Sequence, residues 1–394
     1  MIYRLYPFIL AASILLLPSC SGTGKDITDY VDFIPVKEGQ NDNWGMVDLQ
    51  GKYLFEDKFD NEPTLAINGY FTVLEDEGYS VYKAEKKPKL VNHCEGLFSV
   101  GVMNEGVMPI SKEGGRIALI NEEGGVVATL RPIKGKEILV SASWVSEGLL
   151  AVVNEDGKCG FVDKKGKLAI DFKFDNCSPY FIGNYIIASK TDKESQDDYS
   201  YADSKYYIID KKGEIIANIK SGLTPLSWNF LEDVVVVRDE EDRYGFVNTK
   251  GEYHKLPTKV EGVGQIIDRY YSFVNGDRWG IMNLSNDEII IPAKWKYMNI
   301  LPSNKFLVAD EDDNYFILDK EGEKIERLND YESVATIFNK LIVAKEGQYY
   351  KFLRNDGKSL STEEFADYGV SISRDANVQS DYPIQYTQNE ASDY

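Results

Sequence analysis

The chain has 394 residues, enough for two or three ordinary domains or for one long repeat array. Apolar residues make up 43% of it and aromatic residues 12%, a content of strand-forming side chains that excludes a mostly disordered protein. The net charge of −20 argues against nucleic-acid binding through a basic patch, because an acidic surface repels phosphate backbones.

The first 20 residues have the pattern of an export signal. Arg4 supplies a positive start, an apolar stretch runs from Phe8 to Leu17, and Pro18-Ser19-Cys20 completes a cleavage site that ends in Cys. The apolar stretch is too short to span about 30 Å of hydrocarbon as a helix, so a transmembrane helix is the weaker interpretation.

This segment resembles the lipobox of bacterial lipoproteins, although Pro18 departs from its commonest form. The resemblance implies that Cys20 becomes a lipidated N-terminus whose acyl chains hold the protein on a membrane. We therefore predict a signal peptide over residues 1–20, a flexible tether over 21–31, and export to the cell envelope, with the outer membrane favoured and its face left open. An ordinary cleaved signal and an uncleaved anchor are the alternatives.

Residues 32–369 repeat one short pattern, which predicts a single array. Its units are 34 to 47 residues apart and number nine. The clearest copies begin at Trp44-Gly45, Cys159-Gly160, Tyr244-Gly245 and Trp279-Gly280, and weaker copies begin at Tyr79, Ile117, Tyr206, Tyr315 and Tyr349.

Each unit opens with a predicted β-hairpin, because an apolar run precedes the aromatic position across a polar turn such as Glu155-Asp156-Gly157. After the second strand, an Asp or Asn stands three residues before a Gly, as in a type I turn. Examples are Asp48 to Gly51, Asp163 to Gly166 and Asn248 to Gly251. A third apolar run follows, and there is room for a short fourth strand near Phe98 or Phe181.

Both faces of the second strand carry apolar or small residues: Trp279 and Ile281 face one way, and Gly280 and Met282 the other. Such a sheet must be covered on both faces. Neighbouring units stacked face to face would cover it, with the Gly leaving space for an adjacent backbone or ring. We therefore predict an all-β array of about nine three- to four-stranded units. A β-propeller is favoured over an open solenoid or superhelix, although nine units exceed the usual four to eight blades.

The motif resembles the WG-containing repeat, a bacterial β-repeat family with the approximate pattern Trp-Gly, two hydrophobic residues, Asp-x-x-Gly, and a strand that ends in Pro. The run Ile289-Ile290-Ile291-Pro292 also matches, but only two units keep Trp and the five weaker copies lose the Gly. The resemblance covers roughly residues 32–365 and implies a β-rich scaffold with no common catalytic chemistry. We assign structural roles in the repeat to Trp44, Gly45, Asp48, Gly51, Gly160, Asp163, Gly166, Tyr244, Gly245, Gly251, Trp279 and Gly280.

Three further cysteines, Cys94, Cys159 and Cys177, show no CxxC spacing. A pair of Cys159 and Cys177 is one alternative, but we favour small buried apolar residues, because Cys159 occupies a position where other units carry Trp or Tyr. Thr191 to Lys205 is an acidic insertion, interpreted as a tolerated surface loop rather than part of a binding face. Residues 370–394 are predicted to be a polar, disordered tail.

Enzyme signatures are absent from the sequence. His93 and His254 lie in different units, and no nucleophile elbow, phosphate loop or zinc-binding helix pattern occurs. Asp310-x-Asp312-x-Asn314 alternates like a calcium loop but lacks the downstream Gly and Glu, so we interpret it as a solvated turn. We predict no catalytic residue, no metal site and no cofactor.

The predicted function is a non-enzymatic, membrane-anchored binding or scaffold lipoprotein whose partner is a protein or a glycan and not a nucleic acid. One alternative is a hydrolase that acts on polysaccharide in a central propeller site. Another is a structural subunit of an envelope complex. The ligand and the oligomeric state are not determined by the sequence.

Overall fold

The computed structural model describes residues 26–76, 78–95, 97–112, 117–191, 204–328 and 330–375. Over these ranges the chain forms 36 β-strands and one short 3-10 helix, Ile27–Tyr30. Within them, no helix has the length and apolar character needed to cross a bilayer. The fold is all-β, as predicted.

The strands group in chain order into nine blades, of which blades 1 and 2 share one continuous sheet through pairing of strands Val31–Lys37 and Ala66–Ile67. Blades 1 to 3 contain β1 Val31–Lys37, β2 Trp44–Asp48 and β3 Tyr53–Phe59; β4 Ala66–Ile67, β5 Tyr70–Glu75, β6 Gly78–Lys83 and β7 Lys89–Glu95; and β8 Leu97–Val100, β9 Val107–Lys112, β10 Ala118–Asn121 and β11 Val126–Thr129. Blades 4 to 6 contain β12 Ile138–Val140, β13 Leu149–Asn154, β14 Cys159–Asp163 and β15 Leu168–Phe174; β16 Asn176–Cys177, β17 Tyr185–Thr191, β18 Ser204–Asp210 and β19 Ile215–Asn218; and β20 Leu223–Pro225, β21 Val234–Asp239, β22 Tyr244–Asn248 and β23 Tyr253–Lys255. Blades 7 to 9 contain β24 Gly262–Ile267, β25 Tyr270–Asn275, β26 Arg278–Asn283 and β27 Ile289–Trp295; β28 Tyr297–Leu301, β29 Lys305–Ala309, β30 Tyr315–Leu318 and β31 Lys324–Arg327; and β32 Ser333–Ile337, β33 Leu341–Glu346 and β34 Tyr349–Leu353. The C-terminal strands are β35 Asp367–Tyr368 and β36 Arg374–Asp375.

A complete blade is a four-stranded antiparallel meander in which each strand pairs with the next one along the chain. In blade 8, β28 is mostly buried and all four residues of β31 are exposed. This is the arrangement of a propeller blade, whose first strand lies inside and whose last strand lies outside. The two strands of the predicted hairpin are therefore the second and third strands of a blade, and the predicted third run is its fourth strand. The short fourth run predicted near Phe98 is the inner strand β8.

Apolar clusters lie between successive blades, so each sheet is covered on both faces by its neighbours. Separate clusters join blades 1 and 2, 2 and 3, 5 and 6, 6 and 7, 7 and 8, and 8 and 9. The largest cluster joins blades 3, 4 and 5 and also brings blade 9 against blade 1, where Val343 and Phe352 share a core with Ile34. The nine blades therefore form a closed ring, and the propeller prediction is confirmed over the solenoid.

The two ends of the chain close this ring together. Strand β35 pairs with β1 and supplies the inner strand that the first blade lacks. The segment then continues past blade 2, where the Leu65 amide donates to Ser371 O at 2.8 Å, to blade 3, where β36 pairs with β8. Lys340 Nζ lies 2.8 Å from Asp29 Oδ1 and adds an ion pair between blade 9 and the N-terminal 3-10 helix.

Two boundaries differ from the sequence prediction. The predicted tether 21–31 already has fixed structure from Asp26, which caps the 3-10 helix, and Ile27 is buried. The predicted tail 370–394 is part of the sheets as far as β36, and Ile372 is buried in the largest core cluster. Both segments make contacts with distant blades that local composition does not reveal. The signal peptide with Cys20, and the rest of the tail, lie outside the described residues.

Candidate functional site

The glycine after the aromatic position of the repeat is required by close backbone contact within its own blade. A Cβ on Gly280 would lie 2.7 Å from Ile291 O and 2.8 Å from Ala293 N, and one on Gly45 would lie 2.7 Å from Phe55 O. These atoms belong to the fourth strand of the same blade, which bulges opposite the glycine. The sequence analysis predicts the close approach but assigns it to a neighbouring unit, and that assignment is wrong.

Gly160 and Gly245 follow the same rule, with Ile170 O and His254 O within 2.9 Å of an added Cβ. The aromatic position itself belongs to the packing between blades. Trp44 is buried, and Tyr244 and Trp279 are half-buried against the adjacent core. These three residues therefore help to hold the ring together, whereas Tyr349 of the last motif copy is 42% exposed.

The Asp-x-x-Gly turns cap themselves and also join neighbouring blades. Asp163 Oδ1 accepts the amides of Lys165 and Lys167, and Gly166 has a φ of 74°, which favours glycine. A Cβ on Gly166 would meet Leu130, which follows the outer strand of the preceding blade. Gly51 packs in the same way on Ser361 of blade 9, so this contact crosses the ring closure. The turns that begin at Asp48 and Asn248 have the same capping bonds.

The turns that connect the first and second strands form a second set of ties, which the sequence analysis missed. Glu147 accepts the amides of Gly183 and Asn184 in the next blade and pairs with Lys211, whose Nζ is 3.2 Å away. Glu105 has the same relation to Gly148 and Lys164. These turns and the Asp-x-x-Gly turns lie at one end of the ring, which we call the turn end. The carboxylates of Glu105 and Glu147 therefore join neighbouring blades at this end.

Three carboxyl groups near the contacts between blades have raised pKa values. Burial raises the pKa of Asp26, of Asp32, which accepts the Gly69 amide, and of Glu232. The negative charge of the nearby Asp268 side chain raises the pKa of Glu232 further. The hydrogen bond from the Asp268 backbone amide and the positive charge of Arg269 lower it. Each group also accepts a backbone hydrogen bond, which lowers the pKa, so burial is the main cause of the net rise.

A buried amide cluster joins the inner strands of blades 7, 8 and 9. Gln265 Nε2 donates to Asn299 Oδ1 at 2.8 Å and to Asn339 Oδ1 at 2.7 Å, and Gln265 Oε1 accepts the Ile300 amide. Asn299 also donates to Thr336 Oγ1 at 2.8 Å. Among the residues that the structure describes, every buried polar side chain is Ser, Thr, Asn or Gln. The most deeply buried polar side chains are therefore uncharged, whereas the carboxyl groups of Asp26, Asp32 and Glu232 are withdrawn from solvent only in part.

The two histidines occupy different blades and have ordinary partners. His93 Nδ1 lies 2.8 Å from Ser80 Oγ on the adjacent strand. His254 Nε2 lies 2.7 Å from Asp287 Oδ2, and Asp287 also accepts the hydroxyl of Tyr271 at 3.0 Å. Burial and the neighbouring Asp287 raise the pKa of Tyr271, so it stays protonated. This chain of contacts ties blade 6 to blade 7.

Across the described part of the chain, His, Cys, Asp and Glu side chains form no group of three that could hold a metal ion. Asp310, the first residue of the calcium-like sequence, accepts the amides of Asp312 and Asn314 and the side chain of Asn314. Partial burial raises the pKa of Asp310, but these hydrogen bonds and Lys324 outweigh it and lower the pKa overall. The segment is a capped hairpin turn.

A disulfide joins Cys159 in the third strand of blade 4 to Cys177 in the first strand of blade 5. The sequence analysis favours two unpaired apolar cysteines, and the structure corrects this. Cys159 is buried at the blade interface, where its side chain meets the inner strand of the next blade. The separation of 18 residues between the two cysteines does not indicate this contact, because the contact depends on how two blades stack.

Residues 160–193 match the family model described as the WG containing repeat. These residues cover the Gly160 motif, its turn, and the first half of blade 5. No curated protein shows a significant sequence match to the chain.

Among solved structures, the chain is similar to one titled as the eukaryotic initiation factor, with 12% identity and a TM-score of 0.54, over 88% of this chain and 99% of that one. BamB from Moraxella catarrhalis matches with 12% identity and a TM-score of 0.39, over 73% of this chain and 91% of that one. AztD from Citrobacter koseri matches with 13% identity and a TM-score of 0.37, over 87% and 96%. The first of these likenesses concerns the fold alone.

Proposed function

From a closed nine-blade ring that carries a WG containing repeat, we propose a non-enzymatic binding and scaffold protein that presents its β-repeat surface to protein or glycan partners in the cell envelope. The observation that supports this proposal is the role of the buried polar groups in the described chain. A general acid or base needs a carboxyl or imidazole positioned at a reacting atom. The carboxyl groups that burial affects, Asp26, Asp32 and Glu232, accept backbone amides, and the most deeply buried polar groups are neutral amides and hydroxyls.

The partner surface of this proposal is the end of the ring opposite the turn end, which we call the loop end. The turn end is occupied by ties such as those of Glu105 and Glu147. The loop end carries the connections between the second and third strands and between successive blades. The acidic insertion joins β17 to β18 at this end, and the proposal takes it as part of the binding face, the alternative to the tolerated surface loop that the sequence analysis favours. Binding residues occur preferentially on such connections above a rigid scaffold.

The proposal includes the anchor. Lipidation at Cys20 would hold the ring on a membrane, and the outer membrane is the expected location. The lipid anchor is tested by mass spectrometry of the N-terminal peptide and by membrane fractionation of a Cys20→Ala variant. We expect an acylated peptide and a variant released from the membrane. An unmodified Cys20 in a membrane-bound protein would contradict the lipid anchor. It would not bear on the binding role, which is tested separately.

The binding role is tested by crosslinking the anchored protein in its native membrane and purifying it. We expect one partner, lost when residues 192–203 are replaced by a Gly-Ser linker of equal length and retained in the turn-end variant Lys164→Gln. Retention of the partner by the linker variant would contradict the assignment to the loop end. A single stoichiometric subunit, captured in a fixed complex, would support the structural-subunit alternative.

The hydrolase alternative is tested with the purified mature protein and libraries of glycans and peptides. The proposed role predicts no turnover above the buffer control. Turnover that a single carboxylate substitution abolishes would overturn the non-enzymatic proposal.

A further inference from the structure

A shallow, open cleft lies on the outer strands of blade 8. It has a volume of about 370 Å³, within the usual range of small-molecule sites. Phe316, Lys324, Ile325, Glu326 and Arg327 line it. Four of these residues form β31, which is fully exposed and has no described strand on its outer edge. The cleft is therefore accessible from solvent.

Three cations gather on two aromatic rings at this cleft. Lys324 Nζ lies 3.4 Å from the centre of the Phe316 ring and 5.6 Å from that of Trp295. Arg327 lies 5.8 Å from Phe316, and Lys294 Nζ lies 5.2 Å from Trp295. Both rings are buried. Phe316, Lys324 and Arg327 line the cleft, and Trp295 and Lys294 lie beside it in blade 7. Such a cluster stands out in a chain with a net charge of −20.

The positive charge of the cleft is only partly balanced. Neither Lys294 nor Lys324 forms an ion pair with a described carboxylate, whereas Arg327 donates to Asn314 Oδ1 at 3.3 Å. Glu326 is the one carboxylate in the lining. Asp310, a second nearby carboxylate, is bonded to Asn314 and Asp312 and offsets part of the charge of Lys324.

A donor beside the cleft also lacks a partner in the described structure. The indole N–H of Trp295 is buried and makes no hydrogen bond in the described structure. A buried donor of this kind costs free energy until an acceptor reaches it. Other lysines lie over aromatic rings, Lys37 over Trp44 and Lys190 over Phe174 and Tyr207, but in each case the described contact involves a single cation.

We propose that this cleft binds a small organic anion, with an oxyanion group held by Lys324 and Arg327 and an apolar body against Phe316 and Ile325. The planar fork of an arginine suits the two oxygens of a carboxylate, and the ammonium of Lys324 adds a second charge. Binding here requires neither the lipid anchor nor a macromolecular partner, so it stands or falls separately from the proposed scaffold role.

In the test, benzoate is titrated into the purified mature protein. Binding is measured by calorimetry and by the change in indole fluorescence of Trp295, and a Trp295→Phe variant shows that the fluorescence change comes from this residue. Benzamide has the same shape without the charge, and acetate has the charge without the ring. We expect benzoate to bind about tenfold more tightly than either, because each lost charged hydrogen bond or apolar contact costs about 1.5 kcal/mol. Added salt should weaken the binding.

Variants locate the site. Lys324→Gln and Arg327→Lys should each weaken benzoate binding about tenfold, the second because it keeps the charge and loses the fork. The exposed Lys255→Gln on the outer strand of blade 6 is the matched control and should bind as the unaltered protein does. Circular dichroism confirms that each variant folds.

Benzamide that binds as tightly as benzoate would overturn the proposal, as would cleft variants that bind benzoate normally. Inorganic phosphate and sulfate form the second arm of the experiment. If they bind as tightly as benzoate, the apolar part of the proposal is wrong.

Discussion

Gly280 illustrates what determines a motif residue at the smallest scale. Its neighbours Ile291 O and Ala293 N leave no room for a methyl group, because the fourth strand of the blade bulges toward it. The motif spacing reveals that a small residue is needed there. Which backbone approaches it cannot be predicted, since the bulge depends on the register of a strand that the motif does not include.

Gly280→Ala should lower the free energy of unfolding by about 1–3 kcal/mol, the usual cost of overpacking. The measurement is urea denaturation followed by tryptophan fluorescence. Gly262→Ala is the matched control, because a Cβ there meets Val274 at an ordinary 3.4 Å. Equal stability of the two variants would refute the contact.

Glu232→Gln should change the pH dependence of stability. Burial raises the pKa of Glu232 above its ordinary value of 4.5, so the folded state binds the proton more tightly than the unfolded state. Its favourable contribution is therefore present below pH 4.5 and is lost as the pH rises through the folded pKa. The glutamine variant, which stays neutral, should be more stable than the native protein at pH 7, and this difference should shrink below pH 4.5.

Urea midpoints at both pH values check this prediction, with the exposed Glu214→Gln as the control. A stability difference that does not change between the two pH values would show that the carboxyl group is not perturbed by folding.

At the scale of the element, hairpins and Asp-x-x-Gly turns were predictable because their Gly, Asn and Asp residues are specific for those turns. The inner strands were largely missed. The turns that follow them place Asp268 and Arg269, or Phe338 and Asn339, at positive φ, and neither Arg nor Phe is a usual residue there. Their conformation is imposed by blade packing, so the sequence carries only a weak local signal.

The link between blades 4 and 5 gives a prediction at this scale. Breaking the disulfide with Cys159→Ser or Cys177→Ser should destabilise the protein by about 3 kcal/mol, the expected entropic effect of closing a loop of this length. Thermal unfolding measures the loss. The two variants and their double variant should unfold at the same temperature, because each removes the same bond. Labelling of both cysteines by maleimide in the native, unreduced protein would contradict the pairing.

For the whole molecule, the number of blades and their stacking could be predicted from the period of the motif, and a closed ring was favoured, but the strand that closes the ring could not be predicted. Closure depends on Asp367 and Tyr368 pairing with β1, more than 300 residues earlier. Those residues lie beyond the last motif copy and have no apolar period. A candidate binding site was equally hidden, because Trp295, Phe316 and Lys324 belong to two blades and meet only after stacking.

The closed ring is tested most directly by zero-length carbodiimide crosslinking, which joins amines only to carboxylates in contact. Lys340 Nζ and Asp29 Oδ1 are 2.8 Å apart across the closure, and Lys351 Nζ and Glu364 Oε1 are 2.9 Å apart within the last part of the ring. Mass spectrometry of the monomer should detect both linked peptides. Detection of the local link without the link between residues 29 and 340, or of the latter only in dimers, would contradict a closed nine-blade ring.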